Sequence, residues 1–448
     1  MRSEVKSPIN NIPNKLLGNI LLLGFIFSVV GIEIFFGQKD FFSAFPIYSL
    51  AFGMMVCIYR SNYSLRTIVV VGLIIRIVFL FSMPGFSDDV YRFYWDGRLI
   101  LEGINPYGVL PTDVVNYKLK YLDGDLFHLL NSPQYYTIYP PFNQLYFAIG
   151  ALAGNIHSSI VVMKLLIIAT ELLGLWYLTK LLKRSGISTK NIILYYLNPL
   201  VILEGAGNLH FEVVMLSFLI VSVYYIFSDK IFQAAVFLAC SIGVKLLPLM
   251  ILPYFFFRMP SKKRNRFFII LTGLLLIIFT PLLFGLASTS FLDSIDLYFR
   301  KFEFNASLYY LFRYVGTIVS GYNLIHFIGP MLAIVTLITN VYLASRSKVY
   351  NESTFWNYSL IIWTIYLLLA TTVHPWYTIS LVLLSVCASR IYPIFWSFLA
   401  FVSYVNYSYD PYFENMWFIS FEYILLFIVM TIENKISPFL PSKTIELR

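Results

Sequence analysis

The sequence predicts an all-α protein, a polytopic bundle of about 13 membrane helices with a large outer-face loop between the third and fourth membrane segments. Three observations carry this. Of 448 residues, 59% are hydrophobic and 12% charged, with a mean hydropathy of +0.75; a soluble domain carries about 25% charge. The apolar residues fall into runs, several of them near the ~20 residues that cross a bilayer. The Lys and Arg collect in short spacers between the runs, as the positive-inside rule expects. The net charge of +9 therefore reports topology, and nucleic acid is not expected as a partner. The 42 Phe and 34 Tyr exclude a disordered chain. Cys57, Cys240 and Cys387 sit singly in apolar runs, which supports neither a disulfide framework nor a Cys-based metal site.

The elements follow in order. Residues 1–15 are polar, carry Arg2, Lys6 and Lys15, and are expected in the cytoplasm. The run 16–36 is too long for the apolar core of a signal peptide and reads as a span. Spans near 44–60 and 67–84 flank the basic turn Tyr59–Arg66. Three crossings then place 85–141 on the outer face. This stretch holds seven of the 23 acidic residues: Asp88, Asp89, Asp96, Glu102, Asp113, Asp123 and Asp125. Further runs lie near 142–155, 159–182, 191–207, 211–227, 231–257, 266–286, 324–344, 355–373, 376–390, 392–408 and 417–433. Basic spacers at 180–184, 258–266 and 346–348 are expected in the cytoplasm, as is the C-terminus. The run 142–155 is short for a span and reads as a short or re-entrant helix. The run 231–257 is too long for one span and contains Lys245, Pro248 and Pro253. It reads as two half-helices, in and back out. Irregular backbone at membrane depth is tolerated where it lines a cavity or is buried in protein, so both places point to a polar cavity. The chain is read as one integral-membrane domain, 1–448. Within it, 1–66 supplies two N-terminal spans, 85–141 the loop for polar chemistry, and 287–323 a second outer loop. No glycine-rich phosphate loop occurs.

The densest polar constellation is Ser87-Asp88-Asp89-Val90-Tyr91-Arg92-Phe93-Tyr94-Trp95-Asp96-Gly97-Arg98. Ser87 is a plausible N-cap, and two carboxylates suit the first turn of a helix. At helical spacing Asp88, Tyr91, Arg92 and Trp95 share one face; Asp89, Phe93 and Asp96 share another. A carboxylate at a low-dielectric boundary can act as a base, and a guanidinium can grip a phosphate. An indole can stack on a sugar. These parts suit transfer of a sugar from a lipid phosphate; the bland alternative is an interfacial helix with ion pairs and a Trp anchor. Asn105 and Tyr107 lie in the turn Glu102–Tyr107 that ends the helix. Tyr139, Pro140 and Pro141 lead into the segment with Gln144. Glu204, Asn208, His210 and Glu212 stand in or beside spans, where ionisable groups are candidates for function and equally for packing between helices. Lys245 at the apex of the half-helix pair needs an anion, either a lipid phosphate or Glu204 or Glu212. His374, Trp376 and Tyr377 are placed at the outer boundary, where the last two could serve as an aromatic belt.

In this order the motifs resemble the polytopic GT-C glycosyltransferases, in particular bacterial mannosyltransferase-like members, and more distantly the catalytic subunit of the eukaryotic GPI mannosyltransferase I. The likeness covers about residues 67 to 390 and is most specific at 87–107. The resemblance implies an inverting enzyme of the bacterial inner membrane. It would move a sugar, often mannose, from a polyprenyl-phosphate donor to a cell-envelope glycolipid or glycan on the outer face. It makes an acid of the first outer loop the catalytic base. The GPI enzyme has Asp-x-Asp-Tyr where this chain has Asp88-Asp89-Val90-Tyr91. The choice of base stays open, with Asp88 favoured because its distance to the tyrosine matches. On this reading Arg92, Arg98 and Lys245 meet the donor phosphate. Tyr91, Trp95, Asp96, Asn105, Tyr107, Tyr139, Gln144, Asn208, His210, Glu212, His374, Trp376 and Tyr377 serve sugar or acceptor. The first 66 residues add two spans where the wider class commonly has one before the loop. No metal ligands are assigned; a divalent cation stays open, because adjacent carboxylates can hold one through water. The rival reading is a transporter or flippase of a lipid-linked sugar, against which stand the lack of a visible inverted repeat and the concentration of acids in one outer loop.

Overall fold

A computed structural model describes residues 15–117, 119–346 and 349–435. Arg2, Lys6, Lys348 and both chain termini, all expected in the cytoplasm, lie outside the described residues. Within them the chain is helical, with no strand beyond an isolated parallel bridge between Phe304 and Thr372. Five helices are long and apolar enough to cross a membrane. They are α1 (Lys15–Phe35), α2 (Phe41–Arg60), α6 (Ile156–Arg184), α13 (Ile325–Arg346) and α17 (Met416–Lys435). Between them stand α3 (Leu65–Val78), α4 (Asp89–Leu101), α5 (Pro141–Ala151), α7 (Glu212–Ile226), α8 (Ile231–Val244), α9 (Leu252–Arg258), α10 (Ser261–Ile278), α11 (Ala287–Lys301), α12 (Leu308–Ser320), α14 (Glu352–Leu369), α15 (Thr378–Ala388) and α16 (Tyr392–Ala400).

The sequence expectation of about 13 membrane helices exceeds the five continuous ones because many apolar runs are broken. Pro199–Gly207 and α7 together qualify as a sixth span, bent by 105°. The other breaks follow proline, which removes a backbone donor and ends or kinks a helix. Pro248 and Pro253 stand at the first turns of the short helices that follow Lys245, and Pro375 and Pro393 open two more.

Side-chain ties define the two ends of the bundle. At one end Tyr59 bonds Asn191 at 3.1 Å, Ser185 bonds Glu352 at 2.5 Å, and the Arg258 Nε donates to the Ala344 carbonyl at 3.0 Å. Lys263 pairs with Asp229 at 2.5 Å at that same basic end. Residues 231–258 therefore leave from one end and return to it, with Lys245 at the far point, as the half-helix reading requires. The opposite end gathers the loops: Asn105 donates to the Pro281 carbonyl at 2.8 Å, and Ser294 to the Tyr136 carbonyl at 3.2 Å. Helix α5 is only 11 residues long, about 16 Å at 1.5 Å per residue, and packs along α4.

Two charges outside the sequence-predicted site pin α3 to α6. Arg76 and Glu171 are both fully buried, joined by two hydrogen bonds of 2.6 Å each. A third guanidinium nitrogen of Arg76 reaches the Gly72 carbonyl at 3.0 Å, and the group lies 4.0 Å over the Tyr196 ring. Removing one member strands the other charge, which costs about 3–5 kcal/mol. Glu171→Ala is thus expected to lower stability by about that much. The double variant Arg76→Met/Glu171→Met is expected to recover most of the loss, as read by thermal unfolding in nanodiscs.

Candidate active site

The acidic pair stands on a short extended segment fastened on several sides. Helix α3 runs into a turn at Phe79–Phe81 that leaves carbonyls without helical partners. The buried Lys164 ammonium supplies them, donating to the Phe79 and Ser82 carbonyls at 2.8 and 2.9 Å and to the Ser82 hydroxyl at 2.9 Å. That hydroxyl donates to Glu33 at 2.7 Å, and Glu33 lies 3.6 Å from Lys164. Further on, the Gln38 amide donates to the Gly85 carbonyl at 2.9 Å, and the Asn208 side chain accepts the Phe86 amide at 2.8 Å. Gly37 and Gly85 meet backbone to backbone: a Cβ on Gly37 would stand 2.8 Å from the Gly85 carbonyl oxygen. The N-cap of α4 is Asp88, one residue later than the sequence suggests. Ser87 instead accepts the Asp89 amide at 3.3 Å.

The two acids have different surroundings. Asp89 accepts from Asn131 at 2.9 Å with one oxygen and from the Tyr139 hydroxyl at 3.0 Å with the other. Asp88 is more open, and its side chain has one long contact, from Gln38 at 3.4 Å. Partial desolvation, followed by the neighbouring Asp89 charge, holds the Asp88 carboxyl above its ordinary range. The Gln38 hydrogen bond and the Lys39 charge oppose this. Asp88 is therefore the less encumbered of the two, and its own carboxyl is raised.

The rest of α4 braces more than it presents. Arg92 pairs with Asp96 at 2.8 Å and donates to the Tyr135 carbonyl at 3.0 Å. Gln144 donates to Asp96 at 2.9 Å and to Thr137 at 3.0 Å. All three are buried. Trp95 is fully buried in a separate apolar cluster with Val114, Leu122 and Leu126, and offers no face to a sugar. Arg98 lies nine residues past Asp89, about 13 Å along the helix. It is occupied by the Ala151 carbonyl at 3.3 Å, Glu102 at 3.2 Å and the Tyr121 ring at 4.0 Å. The structure thus separates Trp95 and Arg98 from the acidic pair. Asn105 accepts the Tyr107 amide at 3.1 Å, and the Tyr107 hydroxyl donates to the Tyr139 carbonyl at 2.5 Å, so this turn supports the residue that holds Asp89. Tyr91 stays half-buried on the first turn of α4.

A second set of residues comes from the chain breaks. The π-helical turn Leu203–Gly207 is followed by Leu209 at φ 62°, in the left-handed region. This backbone delivers His210, whose ring stacks on Trp376 at 3.8 Å; Trp376 stacks on His374 at 4.3 Å, and His374 on Phe304 at 4.8 Å. Lys245 forms an ion pair with Glu212 and lies 5.8 Å from the Tyr377 ring, whose hydroxyl accepts from Tyr298 at 3.0 Å. The Asp89 charge acts on both His374 and Tyr407, so the acidic pair lies within electrostatic range of the aromatic column. His374, Trp376, Tyr377, Lys245, Tyr139 and Tyr407 each keep part of their surface accessible. Among the described residues no three His, Cys, Asp or Glu side chains gather as a metal would need.

Sequence reasoning missed Glu33, Gln38, Asn131, Lys164, Tyr298, Tyr404 and Tyr407. For Glu33 and Lys164 a signal was present, an ionisable residue within an apolar run.

One glycine of the motif has a steric reason. A Cβ on Gly97 would lie 2.3 Å from the Phe147 carbonyl oxygen of α5. Gly97→Ala is expected to part α4 from α5 and to abolish monodisperse protein on size exclusion, whereas Gly103→Ala, with open space around it but a φ of +76°, should cost only about 1 kcal/mol.

Residues 43–260, just under half of the chain, match the family model described as alpha-(1->6)-mannopyranosyltransferase, N-terminal domain, of the MptA_B family. The matched stretch includes the acidic pair, Asn208, His210 and Lys245, while Gln38 precedes it and the column residues Phe304, His374 and Trp376 follow it. No curated protein matches the chain. Over that stretch the chain is similar to a mannosyltransferase family, and the match supports a glycosyltransferase activity.

Proposed function

We propose that the protein transfers a sugar, mannose, from a polyprenyl-phosphate donor to a glycolipid or glycan of the cell envelope, on the outer face of a bacterial inner membrane and with inversion. The observation that carries the reading is the asymmetry of the acidic pair: Asp88 open and held above the ordinary carboxylate range, Asp89 tied down by Asn131 and Tyr139. A base needs a free lone pair and raised basicity; an orienting residue needs neither. Asp88 takes the proton of the acceptor hydroxyl. The hydroxyl oxygen bonds to the anomeric carbon as the carbon–oxygen bond to phosphate breaks on the opposite face, and the lipid phosphate leaves with that electron pair.

The other roles follow from placement. Lys245, partly accessible beside its Glu212 partner, meets the phosphate. Arg92, Asp96 and Gln144 hold the backbone that carries Tyr139. Arg98 and Trp95 stabilise the outer loop. Trp376, Tyr377 and Tyr91 line the path of the sugar. The residues 302–305 that follow α11 border the site through Phe304 and serve the acceptor.

Purified protein in nanodiscs, given radiolabelled polyprenyl-phosphate mannose and a membrane lipid extract, is expected to transfer label. Asp88→Asn should reduce the rate by at least about a thousandfold while leaving the melting temperature within a few degrees. A dead Asp89→Asn beside an active Asp88→Asn would move the base to Asp89. Label that crosses a liposome without being transferred would favour the flippase.

The pH profile gives a second check. A base works only when ionised, so the rate falls as pH drops through the Asp88 pKa. Because that pKa is raised, the acid limb should lie above the ordinary carboxylate range. Asp89→Asn removes one of the raising causes and should shift the limb to lower pH. Gln38→Ala removes a lowering one and should shift it to higher pH. A limb that stays fixed in both variants means that some other group titrates.

A further inference from the structure

Glu204 and His210 form a pair to which the displacement above gives no task. Glu204 is fully buried on the π-helical turn, and its two oxygens accept from the Tyr404 hydroxyl at 2.6 Å and from His210 Nδ1 at 2.9 Å. A carboxylate so placed needs a cation. Among the described residues no Lys or Arg pairs with it, and His210, when protonated, is its one charge partner. With Nδ1 committed to Glu204, a charged ring has its remaining proton on Nε2. That atom is buried and meets no protein acceptor.

The surroundings hold this donor still. The His210 amide bonds back to the Glu204 carbonyl at 2.9 Å, and the Asn208 amide to the Leu203 carbonyl at 2.7 Å, around a Leu209 in the left-handed region. Backbone in sparsely populated conformations gathers where a side chain must be aimed. The ring lies on the Trp376 indole with their planes 13° apart, an arrangement that favours a cation. On the far side of the indole is His374, which stands in the fields of Asp89, His210 and Lys245. An immobile, desolvated N–H without an acceptor is a preorganised anion site.

We propose that His210, charge-paired with Glu204, is the second group that grips the donor's phosphate, its Nε2–H donating to a phosphate oxygen while Lys245 approaches another. This rests on the polyprenyl-phosphate reading above. His210 thus touches the leaving group, and Glu204 and Tyr404 are positioning residues.

The test measures binding, so that it stands apart from turnover. The full chain in nanodiscs is titrated with farnesyl phosphate, farnesol and inorganic phosphate by calorimetry. The wild type is expected to prefer farnesyl phosphate to farnesol by at least about tenfold, the scale of one charge-assisted hydrogen bond. His210→Gln should lose about that factor for the phosphate and keep its farnesol affinity. Asp88→Asn should retain the wild-type preference. If His210→Gln does not fold, Glu204→Gln carries the test, since it keeps the stack and removes the charge; it too should lose the preference. A preference unchanged in the folded His210→Gln or Glu204→Gln protein overturns the assignment and leaves the donor reading standing. A wild type that does not distinguish farnesyl phosphate from farnesol overturns the donor reading itself. Inorganic phosphate bound as tightly as farnesyl phosphate makes this a site for free anions and overturns the lipid assignment.

Discussion

An ammonium group without solvent must place all three of its protons on acceptors. Lys164 is fully buried, and its three acceptors are the Phe79 carbonyl, the Ser82 carbonyl and the Ser82 hydroxyl. This single demand decides where α3 stops and how the chain leaves it. The last carbonyls of a helix carry partial negative charge and need donors; here they receive a whole cation. Glu33 balances that cation from α1, so the first helix of the chain, a helix of the next hairpin and α6 converge on one turn. The extended segment that follows inherits its path from this point, and Asp88 and Asp89 inherit their place from the segment.

From that anchor the site divides into two kinds of residue. Beyond Tyr91, those on α4 face protein on both sides. Helix α5 closes against Gly97, and the loop residues Val114, Leu122 and Leu126 close over Trp95. Those at helix breaks divide: Lys245 between two half-helices and His374 and Trp376 ahead of α15 keep part of their surface accessible, while His210 after the π-turn is buried. Broken backbone is expensive in a bundle of this kind, and three polar atoms beside the breaks, His210 Nε2, His374 Nδ1 and Glu212 Oε2, have unfilled hydrogen-bonding capacity.

Much of this was readable before any coordinates. The acidic pair was marked by its adjacency and by its place just after an apolar run. Lys245 was marked as an apex by prolines on one side and the length of its run, and α5 by being too short. The misplacements have a common cause. Helical spacing says which side chains share a face but not what covers that face. Trp95 shares its face with Asp88, yet residues of the loop that follows its helix bury it. For Arg98 the spacing does offer Glu102, four residues on, but not the Ala151 carbonyl, which belongs to the end of another helix. Gln38 and Asn131 were invisible for a simpler reason: each reaches the acids across more than forty residues of chain, and nothing local in their own segments announces it.

The contact of Gly37 with Gly85 has a mechanical meaning. Two backbones touch there with no side chain between them to rotate or compress, and the Gln38 amide ties them together beside the contact. The loop that joins the first two helices and the segment that carries the acids therefore move as one body. A tilt of the first hairpin, such as a thinner or thicker lipid sheet imposes on helices of fixed length, is then also a displacement of Asp88. Lipid thickness enters the geometry of the site through a pair of glycines.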